Sequence, residues 1–198
     1  MREILVATTN EGKVREIRAV MKDLPIAWTF LADLPSIPAP VEDADTFEAN
    51  AILKARYYAK HFGKIVLADD SGLEVDALNG APGVESARYS DEGTDAANNH
   101  KLIAALRGIP QASRTARFVC CLALVEGDDV LLTSMGTIEG QIIDEPRGTN
   151  GFGYDPHFYV PNMGITTAEM PPEQKNALSH RGKALASIKG GMVQLWTA

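Results

Sequence analysis

Apolar residues recur along this chain in two rhythms, short runs or alternations typical of strands and a three-to-four spacing typical of helices. The first predicts strands at residues 3–8 and 27–31, a short buried strand around Val66 and Leu67, and two long strands at 117–125 and 130–143. Glu126-Gly127-Asp128-Asp129 joins the long pair as a hairpin, with Gly136 and Gly140 marking bulges or bends in its second arm. The second rhythm predicts a helix at 12–24, with Val14, Ile17, Met21 and Leu24 on one side. Another runs over 46–62, burying Phe47, Ile52, Ala55 and Ala59 and turning Asn50 and Lys54 to a polar face. Asp45 and Glu48 fit its capping pattern. A third spans 94–106, with Thr94 as N-cap and Leu102, Ile103 and Leu106 as its stripe, and a last helix runs from near Ser179 to Leu195. Residues 34–40, with three prolines, are too broken for regular structure and read as a mobile flap.

Composition narrows the function classes. At 198 residues with 45% hydrophobic content, the chain can bury a substantial core, as one domain or as two closely associated lobes. No apolar run approaches the roughly 20 residues of a membrane span, and the N-terminus enters a strand without a signal-peptide profile, so a cytoplasmic protein with no membrane partner is expected. The cysteines, Cys120 and Cys121, are adjacent within an apolar run, which suits reduced core thiols rather than a disulfide or a zinc site. A net charge of -7 argues against a nucleic-acid polymer as partner and requires any polyanionic ligand to find a local basic pocket.

Several stretches carry candidate chemistry. Ile65-Val66-Leu67-Ala68-Asp69-Asp70-Ser71-Gly72 reads as a strand ending in two carboxylates, a hydroxyl and a glycine at which the backbone turns. Extended neighbours face opposite ways, so Asp69 and Asp70 are expected to differ in role; an ordinary solvated turn accounts for the same residues. Thr8-Thr9-Asn10-Glu11-Gly12-Lys13 joins a strand to a helix start, where free backbone N–H groups and Lys13 favour an anion, though a plain connecting loop is the simpler alternative. It is not a Walker A loop, since Val14 follows Lys13. Glu42 lies upstream of a helix cap and is available for other work, while a solvated face is the ordinary explanation of Lys54. Gly148-Thr149-Asn150-Gly151-Phe152-Gly153-Tyr154-Asp155-Pro156 combines close backbone approach with two rings that could stack on a base, or with two core aromatics in a turn. Lys175, His180 and Arg181 sit near the start of the last helix and offer directed donors, or simply a cap with surface charge. Together these stretches would supply partners for a triphosphate, a divalent metal and a base.

Six ordered segments sharpen the picture: Thr8-Thr9-Asn10-x-x-Lys13, Ala68-Asp69-Asp70-Ser71-Gly72-Leu73, Gly80-Ala81-Pro82-Gly83, Ser86-Ala87-Arg88-Tyr89, Gly151-Phe152-Gly153-Tyr154-Asp155-Pro156 and Ser179-His180-Arg181-Gly182. In this the chain closely resembles the Ham1-like inosine triphosphate pyrophosphatases over essentially its whole length. The resemblance implies an α/β fold of two lobes around a long, mixed, twisted sheet with flanking helices, an active-site cleft between the lobes, and a homodimer. It implies magnesium-dependent hydrolysis of deaminated purine nucleoside triphosphates (ITP, dITP, XTP) to the monophosphate and pyrophosphate. By motif position Asp70 resembles the catalytic base and a metal ligand, and Glu42 the second metal carboxylate. Thr8, Thr9, Asn10, Glu11, Gly12, Lys13, Lys54, Ser71 and Lys175 resemble the phosphate cradle; Phe152, Gly153, Tyr154, Asp155, His180 and Arg181 resemble the base pocket. Two departures stand out: Ala49 precedes Asn50 where the family often has Glu, and Asp43-Ala44-Asp45 replaces the common Glu-Thr-Gly. The rival readings are a catalytically silent nucleotide-binding module on the same scaffold and a related enzyme for another nucleotide, such as a pyrimidine.

Overall fold

The computed structural model describes residues 2–197. Its elements are β1 (Arg2–Val6), α1 (Glu11–Met21), β2 (Ile26–Phe30), α2 (Phe47–Phe62), β3 (Ile65–Val75), α3 (Asp95–Ala105), β4 (Thr115–Glu126), β5 (Asp129–Ile142), β6 (Phe158–Val160), β7 (Ile165–Thr166), α4 (Pro172–Leu178) and α5 (His180–Thr197). The strands form one mixed sheet in the order β2-β1-β3-β4-β5-β6-β7. β1 pairs in parallel with both β2 and β3, whereas β6 pairs antiparallel with β5 and with β7. This is the mixed α/β architecture anticipated from the sequence. β1 has neighbours on both sides and buries Ile4, Leu5 and Val6 in succession, as an unbroken apolar run demands.

The predicted helices and the hairpin are present, with several corrections. β3 does not end at its carboxylates: it continues through Asp69, Asp70, Ser71 and Gly72 to Val75, and Gly72 is a buried strand residue rather than the site of a turn. Polar residues resemble a strand terminus in one dimension, but here Lys13 and Arg181, from elsewhere in the chain, pair with Asp69 within the strand. The cap of α2 is Thr46, whose hydroxyl accepts from Ala49 N–H, not the Asp45–Glu48 pair. Asn50 is 1% exposed rather than on a polar face, because its amide accepts from Ala44 N–H and donates to Ala44 C=O. Tyr58 and Ala51, not Ile52, complete the buried side of α2. Gly140 is needed for close approach rather than for a bend: a Cβ there would stand 2.5 Å from the Tyr159 carbonyl and 2.6 Å from the Phe158 ring.

The chain divides into two compact units, one of residues 1–70, 120–136 and 181–198, the other of 71–119 and 137–180. Each has its own core. In the first, Ile4, Val6, Leu67, Leu122 and Leu124 pack with Ile17 and Met21 of α1 and with Leu185, Ile188 and Met192 of α5. In the second, Leu73, Val75, Phe118, Ile142 and Phe158 pack with Leu102 and Leu106. Cys120 and Cys121 are free and buried, and burial pushes the Cys120 thiol far up, so it is a packing residue and not a nucleophile. Among the described residues no helix is long and apolar enough to cross a membrane.

Candidate active site

In the first unit the site grows from the turn after β1. Ala7 N–H donates to the Leu67 carbonyl, tying this turn to β3. Thr8 Oγ1 then accepts from Asn10 N–H at 3.1 Å, and Asn10 Oδ1 accepts from Lys13 N–H at 3.1 Å, capping α1. The cap starts the helix where Lys13 can reach Asp69, its Nζ 3.0 Å from Oδ2 and 3.1 Å from Oδ1. Gly12 is buried in this first turn, Thr9 is exposed, and Glu11 is turned toward Arg15 at 3.7 Å.

Asp69 and Asp70 do divide their work, as alternation along a strand requires. Asp69 is 3% exposed and is the hub of an ion-pair network: Lys13 on one side and Arg181 Nε at 3.2 Å on the other, with Arg181 Nη1 passing on to Glu16 Oε2 at 2.6 Å. Burial favours the protonated carboxyl, but Lys13, Arg181 and Lys54 together outweigh it and hold Asp69 well below the usual carboxylate range. At neutral pH it is an anion that pairs with Lys13 and Arg181. Asp70 is half-buried and shifted the opposite way: burial raises its pKa, Lys54 and Lys13 oppose the shift, and the negative charges of Glu42 and Asp69 add to it. A carboxylate so placed is a stronger base than one in water.

Lys54 links these groups to α2. Its Nζ donates to the Asp69 carbonyl at 3.0 Å and pairs with Glu42 Oε2 at 2.7 Å, so it is no surface lysine. Desolvation pulls its pKa down, but Asp69 and Glu42 more than compensate and keep it protonated. Glu42 is itself held from behind. Asn50, Lys54 and Tyr57 lie on one side of α2, and Tyr57 Oη donates to the Pro38 carbonyl at 2.7 Å while Asn50 grips Ala44. The proline-rich segment is therefore strapped to α2 at both ends of the Glu42 position. Glu42 and Asp70 offer hard oxygen donors of the kind that bind magnesium, which commonly takes one or two carboxylates and completes its shell with water and substrate phosphates. Among the described residues no group of three or more His, Cys, Asp or Glu is arranged to hold a metal by itself. The donor set thus fits an ion shared with a phosphorylated ligand.

In the second unit the glycine-rich segment is built around Asp155. Its Oδ2 accepts from Phe152 N–H at 2.8 Å and from Lys175 Nζ at 2.6 Å, and its Oδ1 accepts from Thr167 Oγ1 at 2.8 Å. Lys175 also stands 4.9 Å from the Phe152 ring centroid. Gly151 is required here: its φ is +78°, and a Cβ would fall 2.0 Å from Asp155 Oδ2. The two aromatics separate in role. Tyr154 is packed in the core with its hydroxyl donating to the Ser86 carbonyl at 2.7 Å, whereas Phe152 is only half-buried. His180 is buried with its ring stacked on Phe118 at 4.8 Å between centroids. Ser71, half-buried, follows Asp70 directly on β3.

The structure therefore groups Thr8, Asn10, Lys13, Glu42, Lys54, Asp69, Asp70 and Arg181 in the first unit, and Phe152, Gly153, Tyr154, Asp155, Lys175 and His180 in the second. Lys175 pairs with Asp155 in the second unit, apart from Lys13 and Lys54 of the first, and Arg181 pairs with Asp69 and Glu16 although its chain neighbour His180 lies in the other unit. Glu16, Asn50, Tyr57 and Thr167 are contributors that sequence reasoning missed. Glu16 falls one turn after Lys13 on α1, a spacing that carries a signal only once Arg181 is known to be near.

Comparison with known proteins is consistent along the whole chain. The Ham1 family model matches residues 4–190. The chain is 52% identical over 190 residues to a dITP/XTP pyrophosphatase of Geobacter sulfurreducens, covering 96% of each chain. It is 46% identical over 197 residues to a dITP/XTP pyrophosphatase of Shouchella clausii, covering 99% of each. Among solved structures, a HAM1 protein from Coxiella burnetii superposes with a TM-score of 0.89 at 44% identity, covering 98% of this chain and all of that one (100%). The Staphylococcus aureus Ham1 protein gives 0.85 at 40% identity, covering 98% of this chain and 99% of that one.

Proposed function

The chain belongs to the Ham1 family, and from that premise we propose that it is a nucleoside triphosphate pyrophosphohydrolase for deaminated purine nucleotides. It hydrolyses ITP, dITP and XTP to the monophosphate and pyrophosphate. The observation that supports this reading best is Asp70, a half-buried carboxylate with raised proton affinity beside Lys13, Lys54 and Glu42. In the reaction a water oxygen attacks the α-phosphorus, its proton passes to Asp70, and the bond to the β-phosphate bridge breaks with pyrophosphate leaving. Lys13 and Lys54 offset charge on the triphosphate, and Asp69 keeps Lys13 aimed while Arg181 holds Asp69. Thr8 to Lys13 and Ser71 supply further donors to phosphate oxygens. Glu42 and Asp70 would hold magnesium, which when bound polarises phosphoryl oxygens.

Phe152 gives the base a ring face, and Gly153, Asp155, Lys175 and His180 supply the polar surroundings. Donors aimed at a 6-oxo group discriminate against adenine, whose amino group would set donor against donor, by a factor of roughly 10⁴ or more. A homodimer and a cytoplasmic setting belong to the same proposal and rest on the family likeness.

A panel of ITP, XTP, dITP, ATP and GTP with magnesium, with products identified, tests the function. Pyrophosphate is expected from the first three far faster than from ATP or GTP. Equal rates on all five would remove the specificity, and orthophosphate as direct product would remove the bond assignment. In the same assay Asp70→Asn is expected to lower turnover by about 10²–10⁴-fold while nucleotide still binds.

A further inference from the structure

Gly153 lies between Phe152 and Tyr154, and both polar atoms of its backbone are taken by side chains of α3. Asp95 Oδ2 accepts from Gly153 N–H at 2.7 Å, and Asn99 Nδ2 donates to the Gly153 carbonyl at 2.8 Å. The two residues are four apart on one helix face, so a single surface presents an acceptor and a donor together. Asn99 Nδ2 also donates to the Asp95 carbonyl at 2.9 Å, which fixes the amide with its donors toward the glycine-rich segment; its Oδ1 is buried without a hydrogen-bond partner. The ordinary explanation of an acid in a first helical turn is the helix dipole. That accounts for a charge at this position but not for a bond to a residue 58 positions away, and Thr94 already caps α3 through Ala97 N–H.

Helix α3 is itself fastened to the body of the second unit. Asn98, next to Asn99, accepts from Ser90 N–H at 2.7 Å and donates to the Ala87 carbonyl at 3.2 Å. Ser86, in the same loop, accepts from Leu73 N–H of β3 at 2.8 Å and receives the Tyr154 hydroxyl on its carbonyl. The glycine-rich segment is thus gripped on both sides of Phe152, by Asp155 at its N–H and by α3 at the next residue.

Resting on the reading of this protein as an enzyme for deaminated purine nucleotides, we propose that Asp95 and Asn99 are positioning residues for base recognition, holding the Gly153 peptide so that Phe152 is presented to the base in one orientation. Neither residue touches the substrate. Releasing the clamp alters how well the base is held and discriminated, and leaves cleavage at the α-phosphorus to Asp70 and its neighbours.

The test measures kcat and KM for ITP and ATP, melting temperature, and amide hydrogen exchange at Gly153 in the wild-type protein, Asp95→Ala, Asn99→Ala and Asp95→Asn. Asp95→Ala and Asn99→Ala are each expected to raise KM for ITP by about 5- to 10-fold, the worth of a lost hydrogen bond. They narrow the ITP-to-ATP preference, speed exchange at Gly153, and leave kcat within about twofold. Asp95→Asn, which keeps a carbonyl acceptor, restores most of the KM. Faster Gly153 exchange with wild-type KM and preference would overturn the proposal, as would a loss confined to kcat, or an Asp95→Asn variant as impaired as Asp95→Ala. A wild-type protein that releases no pyrophosphate from ITP overturns the function itself, and does so before any variant is compared.

Discussion

Adjacent carboxylates on one strand reach opposite electrostatic states because each meets a different set of charges. Asp69 is fully enclosed by Lys13, Arg181 and the field of Lys54, so its ionised form wins despite the desolvation cost. Asp70 feels Lys54 and Lys13 but also the negative charges of Glu42 and Asp69, so burial prevails. Replacing Asp69 by Asn removes the anion shared by the half-buried Lys13 and the buried Arg181, which keeps Glu16, and we expect a loss of about 3 kcal/mol in urea unfolding at neutral pH. The sign of the pH dependence follows from its lowered pKa. The unfolded chain binds the proton first, so the stabilisation by Asp69 is fully present above about pH 4 and is lost progressively as pH falls toward its folded value. Asp69→Asn should therefore show a shallower decline in unfolding midpoint between neutral and acid pH than the wild-type protein. Parallel curves would mean that another group carries the acid sensitivity.

At the scale of elements, α2 works as a rail for the segment before it. Residues 38–44 contain no regular structure, yet Tyr57 and Asn50 hold their two ends and Lys54 pairs with Glu42 between them. A proline-rich stretch reads as a mobile flap because prolines remove backbone donors. The bonds that fix it come from side chains on a helix whose polar positions look solvated in one dimension. Asn50→Ala leaves both polar groups of Ala44 without this partner and is expected to cost about 1–3 kcal/mol. On the proposal that Glu42 holds magnesium, it should also raise the magnesium concentration needed for half-maximal turnover. Unchanged magnesium dependence in a folded variant would show that the position of Glu42 does not depend on Asn50. The glycine-rich segment is treated in the same manner by α3, so in both units irregular backbone is made definite by a helix side chain that binds main-chain atoms.

For the whole molecule, stability rests on two separate apolar cores joined by continuous strands, since β3, β4 and β5 each contribute residues to both units. Leu122 in the first core and Leu102 in the second are both 0% exposed. Leu122→Ala and Leu102→Ala are each expected to lower unfolding free energy by about 2–5 kcal/mol. A cost under about 1 kcal/mol at either position, measured by urea titration, would show that its core is loosely packed. The net charge of -7 belongs to the chain as a whole, whereas within the first unit Lys13, Lys54 and Arg181 all contact Asp69.

The sequence by itself determined what depends on local pattern. Periodicity located α1, α2, α3 and the β4–β5 hairpin, Thr94 announced its cap, and the ordered motifs named the family. Tertiary structure alone decided what depends on partners far apart in the chain. It carried β3 through Asp69-Asp70-Ser71-Gly72, because Lys13, 56 positions away, and Arg181, 112 positions away, neutralise Asp69 inside the sheet. It placed Tyr154 in the core and left Phe152 half-buried, and it assigned Lys175 to Asp155. The physical reason is the same in each case. A strand or helix signal is summed over near neighbours, whereas the state of a buried charge is set by whichever opposite charge the fold brings to within about 3 Å. Spacing along the chain does not encode that distance.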